Sequence, residues 1–188
     1  MRKIKVATAW LSGCSGCHMS LLNADEKLID LLNMIELTRS PLTDIKEFES
    51  SDIGIVEGAV ADEDNLKTLK AIRKNCKVLV ALGDCAVFGG MTSLRNLFSK
   101  DEALNRGYVT TETTVKGKIP SGEDIPKLLD SVKRVDEVVK VDYYIPGCPP
   151  STEAILYVLQ RLIEGKDPKL PPSMLHYDSY IKVRRKPK

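Results

Sequence analysis

The sequence has few aromatic residues, little net charge and no long uninterrupted hydrophobic run. Aromatic side chains make up 5% of the 188 residues, and 28 basic against 26 acidic residues leave a formal net charge of +2. So small a charge provides no general field for binding nucleic acid or an anionic membrane surface. No apolar stretch approaches the roughly 20 residues that a membrane-spanning helix needs. We therefore expect neither nucleic-acid binding nor membrane insertion.

The sequence begins with only three residues before its first strand-like segment. Met1 to Lys3 lead directly into an apolar stretch that starts at Ile4. We therefore expect no signal peptide or twin-arginine leader, and we expect a cytoplasmic location. In that reducing compartment the five cysteines are expected as free thiols or metal ligands rather than as disulfides, and their odd number agrees.

What the chain does contain is a regular alternation of strand-like and helix-like segments with short joints. This alternation predicts an α/β fold with a parallel sheet, best matched by a flavodoxin-like doubly wound sheet. We expect a single domain over residues 1–170 and an extended basic tail at 171–188. Strands are predicted at 4–10, 34–38, 52–58, 77–82 and 141–145, and helices at about 18–33, after Asp62, at about 92–98, at about 124–134 and from Ser151 to Gly165.

Four of the five cysteines follow predicted strands directly. Cys14 and Cys17 lie in the turn after the first strand, whereas Cys85 and Cys148 follow two later strands. In an open parallel sheet the carboxyl ends of the strands share one edge, where ligand sites are built. The sequence therefore predicts that four thiols from three segments converge. Cys76 precedes its strand and is expected at the opposite edge as a buried structural thiol.

Several kinds of site use thiols in this arrangement. Cys14 and Cys17 alone match a redox dithiol at a helix N-terminus, where the helix dipole lowers a thiol pKa. That interpretation, a dithiol oxidoreductase, leaves Cys85 and Cys148 without a role, whereas four thiolates together can bind zinc or an iron–sulfur cluster. One pair and two single ligands on a sheet with its own core favour the cluster over structural zinc. The first turn also occupies the flavin-phosphate position of flavodoxin-like folds, which leaves a flavin on this chain as an open alternative that the residues themselves do not support.

Glycines near the cysteines are candidate cofactor-binding residues. Main-chain amides in glycine-rich turns can donate hydrogen bonds to cluster sulfides, and Gly13, Gly16 and Gly147 are the candidates here. Two polar side chains at the same edge keep open roles. Glu57 could relay protons, bind a partner or cap the next turn, and His18 could donate to a cluster sulfide or to a partner's carboxylate.

Taken together, these turns resemble the small, iron–sulfur subunit of nickel–iron hydrogenases. The matching segments, in the family's order, are Gly13-Cys14-Ser15-Gly16-Cys17, Val56-Glu57-Gly58, Gly83-Asp84-Cys85-Ala86 with Gly89-Gly90, and Gly147-Cys148-Pro149-Pro150. The resemblance implies that the cluster nearest the active site, a 4Fe–4S cluster, is bound by Cys14, Cys17, Cys85 and Cys148. The quinone-side cluster subunit of respiratory complex I is also similar, but it has adjacent cysteines where this chain has Cys14-x-x-Cys17.

The soluble NAD-reducing, or bidirectional, hydrogenases have the small subunits that this chain resembles most. The resemblance implies an oxidoreductase complex in which this chain carries one cluster and no catalytic residue. Electrons would pass between the nickel–iron site of a large subunit and diaphorase iron–sulfur and flavin subunits that bind FMN and NAD. Cys76, His18 and His176 are too scattered for a second cluster, and the basic segment Ile181 to Lys188 is a candidate docking segment.

Overall fold

A sheet of five parallel strands forms the centre of the protein. The structure, a computed structural model, describes residues 2–175. The strands are β1 (Ile4–Trp10), β2 (Ile35–Arg39), β3 (Ser51–Glu57), β4 (Val60–Asp62), β5 (Cys76–Leu82), β6 (Leu128–Lys133) and β7 (Tyr143–Ile145). The α-helices are α1 (Gly16–Leu22), α2 (Glu26–Met34), α3 (Glu63–Asn75), α4 (Gly83–Phe88), α5 (Lys100–Tyr108) and α6 (Thr152–Ile163). Shorter 3-10 helices span Met91–Leu97, Val135–Glu137 and Pro172–Met174.

The order of strands confirms the predicted fold class. The parallel sheet runs β2-β1-β3-β5-β7, which is the 2-1-3-4-5 order of flavodoxin-like folds once the other strands are left out. Residue pairing is in register at one end, where Trp10 pairs with Glu57, Glu57 with Leu82, and Leu82 with Ile145. The turns that follow these strands therefore start at the same level.

Apolar residues cover both faces of the sheet, as the period of two along the strands requires. On one face, Ile55 and Val80 pack with Ile155 and Val158 of α6. On the other face, Val56 and Ala81 pack with Leu69 of α3. Strand β5 lies inside the sheet, between β3 and β7, and its residues 79–82 are almost completely buried.

The predicted helix at 18–33 is in fact two helices. Residues Asn23 to Asp25 separate α1 from α2, and Asp25 has a φ of 50°. Asn and Asp tolerate such backbone angles better than most residues, and their side chains compete with helical hydrogen bonds. The predicted helix is therefore divided into α1 and α2 at this point.

Three further predictions between residues 83 and 134 were wrong or incomplete. The predicted helix at 124–134 is strand β6, which pairs antiparallel with β4 and buries Val132 against Ala59 and Ala61. Helix α5 was predicted as connection, although Ser99 and Glu102 form a capping box at its start. The predicted turn at 83–90 contains the short helix α4.

The last described segment packs on the domain. Helix α6 begins after Ser151, whose side chain accepts the Ala154 N–H, and Gly165 has a φ of 67° just beyond the helix. Leu170 belongs to the core and Met174 packs against it. His176 and the basic segment of the tail lie outside the described residues, so the division at residue 170 stays a prediction. No helix within residues 2–175 combines the length and the hydropathy that crossing a membrane requires.

Candidate metal centre

Hydrogen bonds connect the turns at the carboxyl edge of the sheet in pairs. After β1 and β3, Leu11 N–H donates to the Glu57 carbonyl at 2.9 Å, and Ser12 exchanges main-chain hydrogen bonds of 3.0 and 2.8 Å with Ala59. After β5 and β7, Asp84 N–H donates to the Gly147 carbonyl at 2.9 Å. The Gly147 N–H in turn donates to Asp84 Oδ1 at 2.7 Å. Asp84 therefore fixes the turn that carries Cys148 to the one that carries Cys85.

Helix α1 is bonded to the last of these turns. Ser20 Oγ donates to the Pro150 carbonyl at 2.6 Å, and Thr152 Oγ1 donates to the Ser20 carbonyl at 2.7 Å. All three cysteine-bearing segments are thus held to one another or to the strand ends.

The structure places the four predicted cysteines at this edge. Cys14 and Cys148 are exposed, whereas Cys17 and Cys85 are partly buried. Each of the other three thiols is close enough to Cys17 for its charge to act on the Cys17 thiol. The edge therefore brings together Cys14, Cys17, Cys85 and Cys148. Their role as ligands of one metal group stays a prediction.

Cys76 lies apart from this group, as predicted. It begins β5 at the opposite edge, pairs with Ser51 and is buried against Gly54. Burial raises the pKa of its thiol, which is consistent with an unreactive core residue.

Two glycines that the sequence analysis did not single out touch the sulfurs. A Cβ at Gly83 would overlap with Cys17 Sγ, and one at Gly90 would lie 2.9 Å from Cys85 Sγ. Both have positive φ, 83° and 48°. The sequence feature that could have identified them is their position on either side of Cys85, in Gly83-Asp84-Cys85 and Gly89-Gly90.

The three predicted glycines lie at the same edge. Gly16 is next to Cys14, with a Cβ-to-Sγ distance of 3.2 Å if a Cβ were present. Gly13 packs against the main chain of Gly58, and Gly147 is crowded by Pro150. Their part in binding a cofactor stays a prediction.

The electrostatics of the edge disfavour thiolates until a positive group is present. Burial raises the pKa of Cys17, and the Glu57 carboxylate and the other three thiols raise it further. Burial also raises the pKa of Cys148, and the nearby Cys85 and Asp84 raise it further. A redox dithiol needs a thiol with a lowered pKa. The pKa of Cys17 is raised instead, which does not suit that role.

Glu57 and His18 form a buried pair behind the first cysteine turn. Glu57 Oε2 accepts the main-chain N–H of His18 at 2.7 Å and lies 2.8 Å from His18 Nδ1. The ring of His18 packs edge-to-face on Trp10, with a centroid distance of 5.7 Å. Both residues are candidates from the sequence, but no sequence pattern predicts their pairing, since 39 positions separate them.

No tight single-ion site is present among the side chains of residues 2–175. Within that part of the chain, no three Cys, His, Asp or Glu side chains are grouped closely enough to hold one metal ion. The four thiols share an edge without meeting at a single point. Exposed apolar side chains surround this edge, namely Trp10, Met19, Phe88 and Met91.

Known proteins resemble this chain over most of its length. Residues 14–162 match the family described as NADH ubiquinone oxidoreductase, 20 Kd subunit. The delta subunit of the NAD-reducing hydrogenase HoxS of Cupriavidus necator is 47% identical over 180 residues, which cover 94% of this chain and 86% of that protein. A subunit of the F420-non-reducing hydrogenase vhu of Methanocaldococcus jannaschii is 42% identical over 174 residues, 92% of this chain and 60% of that protein.

Solved structures agree with these sequence relatives. A chain of an NAD+-reducing NiFe hydrogenase in the H2-reduced state superimposes with a TM-score of 0.91 and 39% identity, covering 94% of this chain and 100% of that chain. A NiFeSe hydrogenase from Desulfovibrio vulgaris Hildenborough shares the fold alone, with a TM-score of 0.59 and 19% identity over 87% of this chain and 60% of that chain. The predicted resemblance is confirmed. The chain belongs to the family of the 20-kDa subunit of NADH–ubiquinone oxidoreductase and, within it, to the small subunits of nickel–iron hydrogenases.

Proposed function

We propose that this chain is the electron-transfer subunit of a nickel–iron hydrogenase and carries one 4Fe–4S cluster. The ligands would be the thiolates of Cys14, Cys17, Cys85 and Cys148. The observation that carries the proposal is the proximity of four thiols in three hydrogen-bonded segments at one edge of the sheet. When bound, such a cluster supplies one-electron transfer. The chain itself holds and orients the group and takes no part in bond making.

The donor set and its surroundings fit this group. Thiolates are the usual ligands of iron–sulfur clusters, and the iron would offset the mutual repulsion of the sulfurs. Glycines at 83 and 90 leave no side chain where the sulfurs of Cys17 and Cys85 lie. The main chain can therefore approach these two sulfurs closely.

The two alternatives that the cysteines left open fit less well. A redox dithiol is disfavoured because the buried Cys17 has a raised pKa. Structural zinc is disfavoured because its ligands usually come as two pairs, whereas here they come as one pair and two single cysteines on a sheet that has its own core.

A large subunit with the nickel–iron site is the proposed first partner. Trp10, Met19, Phe88 and Met91 expose apolar surface around the cysteine turns, and Met91 is 71% exposed. Exposed apolar patches next to a functional edge mark protein interfaces. Covering this edge would exclude water from the cluster and bring it close to the partner's metal site.

A diaphorase module with FMN and NAD sites is the proposed second partner. The relative named as a subunit of an NAD-reducing hydrogenase is 47% identical, which favours NAD as the final acceptor. The relative from an F420-non-reducing hydrogenase, at 42% identity, makes a different acceptor the second candidate. Free cysteines throughout the described residues agree with the proposed cytoplasmic location.

Iron and sulfide analysis of five Cys→Ser variants tests the ligand assignment. Serine at position 14, 17, 85 or 148 should lose or convert the cluster, whereas Cys76→Ser should keep about four iron atoms per chain. Cys76→Ser is the matched control because it removes a thiol of the same chain from the opposite edge. The assignment is wrong if Cys76→Ser loses its iron while Cys85→Ser keeps a full cluster.

A further inference from the structure

A carboxylate and an imidazole lie buried directly behind the cysteine turn. Glu57 is 2% exposed and His18 is 1% exposed. One oxygen atom, Glu57 Oε2, is bound both to the main chain and to the ring of His18. Buried charged or polar side chains are costly unless they are hydrogen-bonded. These two side chains satisfy one another through the contact between Oε2 and Nδ1.

The main-chain contact fixes the peptide that joins Cys17 to His18. Helix α1 begins at Gly16, and Ser15 before it makes no side-chain capping bond. The first N–H groups of a helix have no partner within the helix. Glu57 supplies an acceptor for one of them from the end of β3. The carboxylate therefore acts as a helix cap that comes from a neighbouring strand.

The ring contact fixes the orientation of His18. We assign the ring proton to Nδ1, because Glu57 Oε2 is already the acceptor of the main-chain N–H in the first contact. The ring edge also packs against Trp10, and Nε2 has no partner among the described residues. His18 is thus held at its main chain, at Nδ1 and by an aromatic neighbour.

We propose that Glu57 and His18 form a positioning pair that sets the Cys17 sulfur at the metal centre. The proposal rests on the proposed function, because it gives the pair a role at the same centre. Glu57 holds the Cys17–His18 peptide at the end of β3, and Cys17 Sγ lies directly against Gly83. Cys17 is therefore held at its main chain and closely packed at its sulfur before any metal binds.

Two pairs of variants separate positioning from other roles. Glu57→Gln keeps an oxygen that can accept both hydrogen bonds, whereas Glu57→Leu removes it. His18→Asn keeps a side-chain N–H near the position of Nδ1, whereas His18→Leu removes it. Thr38→Val is the control for loss of a buried polar group, because Thr38 hydrogen-bonds to Ser51 and to the Val6 carbonyl rather than to groups at the cysteine edge.

The cluster is measured in the complex of this chain with the large subunit. We expect Glu57→Gln and His18→Asn to keep the electron paramagnetic resonance signal of the reduced cluster. Glu57→Leu and His18→Leu should change that signal and lose iron at chelator concentrations about 10- to 100-fold lower, the usual effect of removing a group that orients a ligand. Thr38→Val should behave like the wild type in both measurements.

The pair itself is measured separately by 15N nuclear magnetic resonance of the full chain without iron. The chain has two histidines, so His18→Asn assigns the signals. His18 should carry its proton on Nδ1, exchange it slowly with water, and lose this protection in Glu57→Leu. An Nε2–H ring that exchanges rapidly in the wild type would overturn the pair.

The remaining outcomes each decide one question. If folded Glu57→Leu and His18→Leu keep the wild-type signal and chelator resistance, the positioning role is overturned while the proposed function stands. If Glu57→Gln behaves like Glu57→Leu, charge rather than hydrogen bonding is responsible and the positioning role is again overturned. A wild-type complex without iron would overturn the proposed function itself.

Discussion

At the scale of single residues, small side chains decide the shape of the candidate centre as much as the cysteines do. Sequence patterns identified Cys14, Cys17, Cys85 and Cys148 because each follows a strand. They did not identify Gly83, whose importance depends on a sulfur that is 66 positions away in the chain but in contact through the fold. Contacts of this kind become visible only when the register of the strands is known.

Replacement of Gly83 by alanine tests this contact. Gly83 has a φ of 83°, and a Cβ there would overlap with Cys17 Sγ. We expect Gly83→Ala to lower the free energy of unfolding by about 1–3 kcal/mol from backbone strain and to reduce the iron content. Chemical denaturation and iron analysis provide the measurements.

Gly107→Ala is the matched control. Gly107 lies in helix α5, and nothing is within 4 Å of a Cβ at this position. Alanine should therefore leave the iron content unchanged and raise stability by up to about 1 kcal/mol. Equal effects of the two substitutions would contradict the role assigned to Gly83.

Asp142 is expected to make stability depend on pH. Burial alone would raise its pKa, but hydrogen bonds from Leu79 N–H at 2.8 Å and Arg73 Nη1 at 2.6 Å hold the pKa below its ordinary value. A folded-state pKa below that of the unfolded state gives a stabilisation that is present above about pH 4 and is lost as the pH falls through the folded value.

Asp142→Asn measures this contribution. Near neutral pH the substitution should lower the free energy of unfolding by about 1–3 kcal/mol, the usual cost of losing hydrogen bonds to a charged group. The difference from wild type should shrink as the pH falls below about 4. Glu112→Gln, at an exposed ion pair with Arg106, should show little effect. A difference that grows in acid would contradict the assignment.

At the scale of elements, the sequence predicted the five strands of the sheet because each is a short apolar run between polar turns. It failed where an element depends on a distant partner or buries little. Strand β6 forms because Val132 and its neighbours pair with the three-residue strand β4. No local period identifies that pairing, and the same residues also fit a helix. Helix α5 buries none of its residues. Its sequence therefore lacks the apolar spacing from which a helix is predicted.

Helix α5 therefore depends on its cap more than on packing. Ser99 accepts the Glu102 N–H at 3.2 Å, and Glu102 accepts the Ser99 N–H at 2.8 Å. We expect Ser99→Ala to weaken the start of the helix by about 1 kcal/mol. Hydrogen exchange should become faster in the first turn of α5 while the exchange of β5 stays unchanged.

Ser121→Ala provides the control for this prediction. Ser121 is exposed in a segment without regular structure, so its loss should not change exchange in α5. Unchanged exchange in α5 after Ser99→Ala would show that contacts with β6, rather than the cap, hold the helix.

At the scale of the whole molecule, the parallel sheet explains why the site lies at one end. The four strand ends are in register, so residues far apart in sequence begin their turns side by side. The fold class and the clustering of the cysteines were therefore predictable from the order of strands, helices and cysteines along the chain. The buried Glu57–His18 pair and the ribbon of β4 and β6 were not, because they arise from the packing of turns that the strand pattern does not describe.

A relay with a single cluster makes a prediction about the complex. The pair formed by this chain and the large subunit should oxidise hydrogen with an artificial dye but should not reduce NAD. Adding the diaphorase module should restore NAD reduction, because electrons need a further carrier beyond this chain. Absorbance at the NADH band and dye reduction under hydrogen are the measurements. Full NAD reduction by the pair alone would refute the single-cluster relay and point to a flavin on this chain.

The unequal exposure of the four thiols has a consequence for biosynthesis. Cys14 and Cys148 are exposed while Cys17 and Cys85 lie deeper, so the proposed cluster would be assembled from the exposed side of the edge. The apolar rim that surrounds this side is the proposed seat of the large subunit. Maturation should therefore follow an obligatory sequence, with metal loading first and subunit docking second. Chain that is docked before loading should stay without iron when iron and sulfide are supplied, whereas free chain should take them up. Equal uptake by both forms would show that the docked edge remains open.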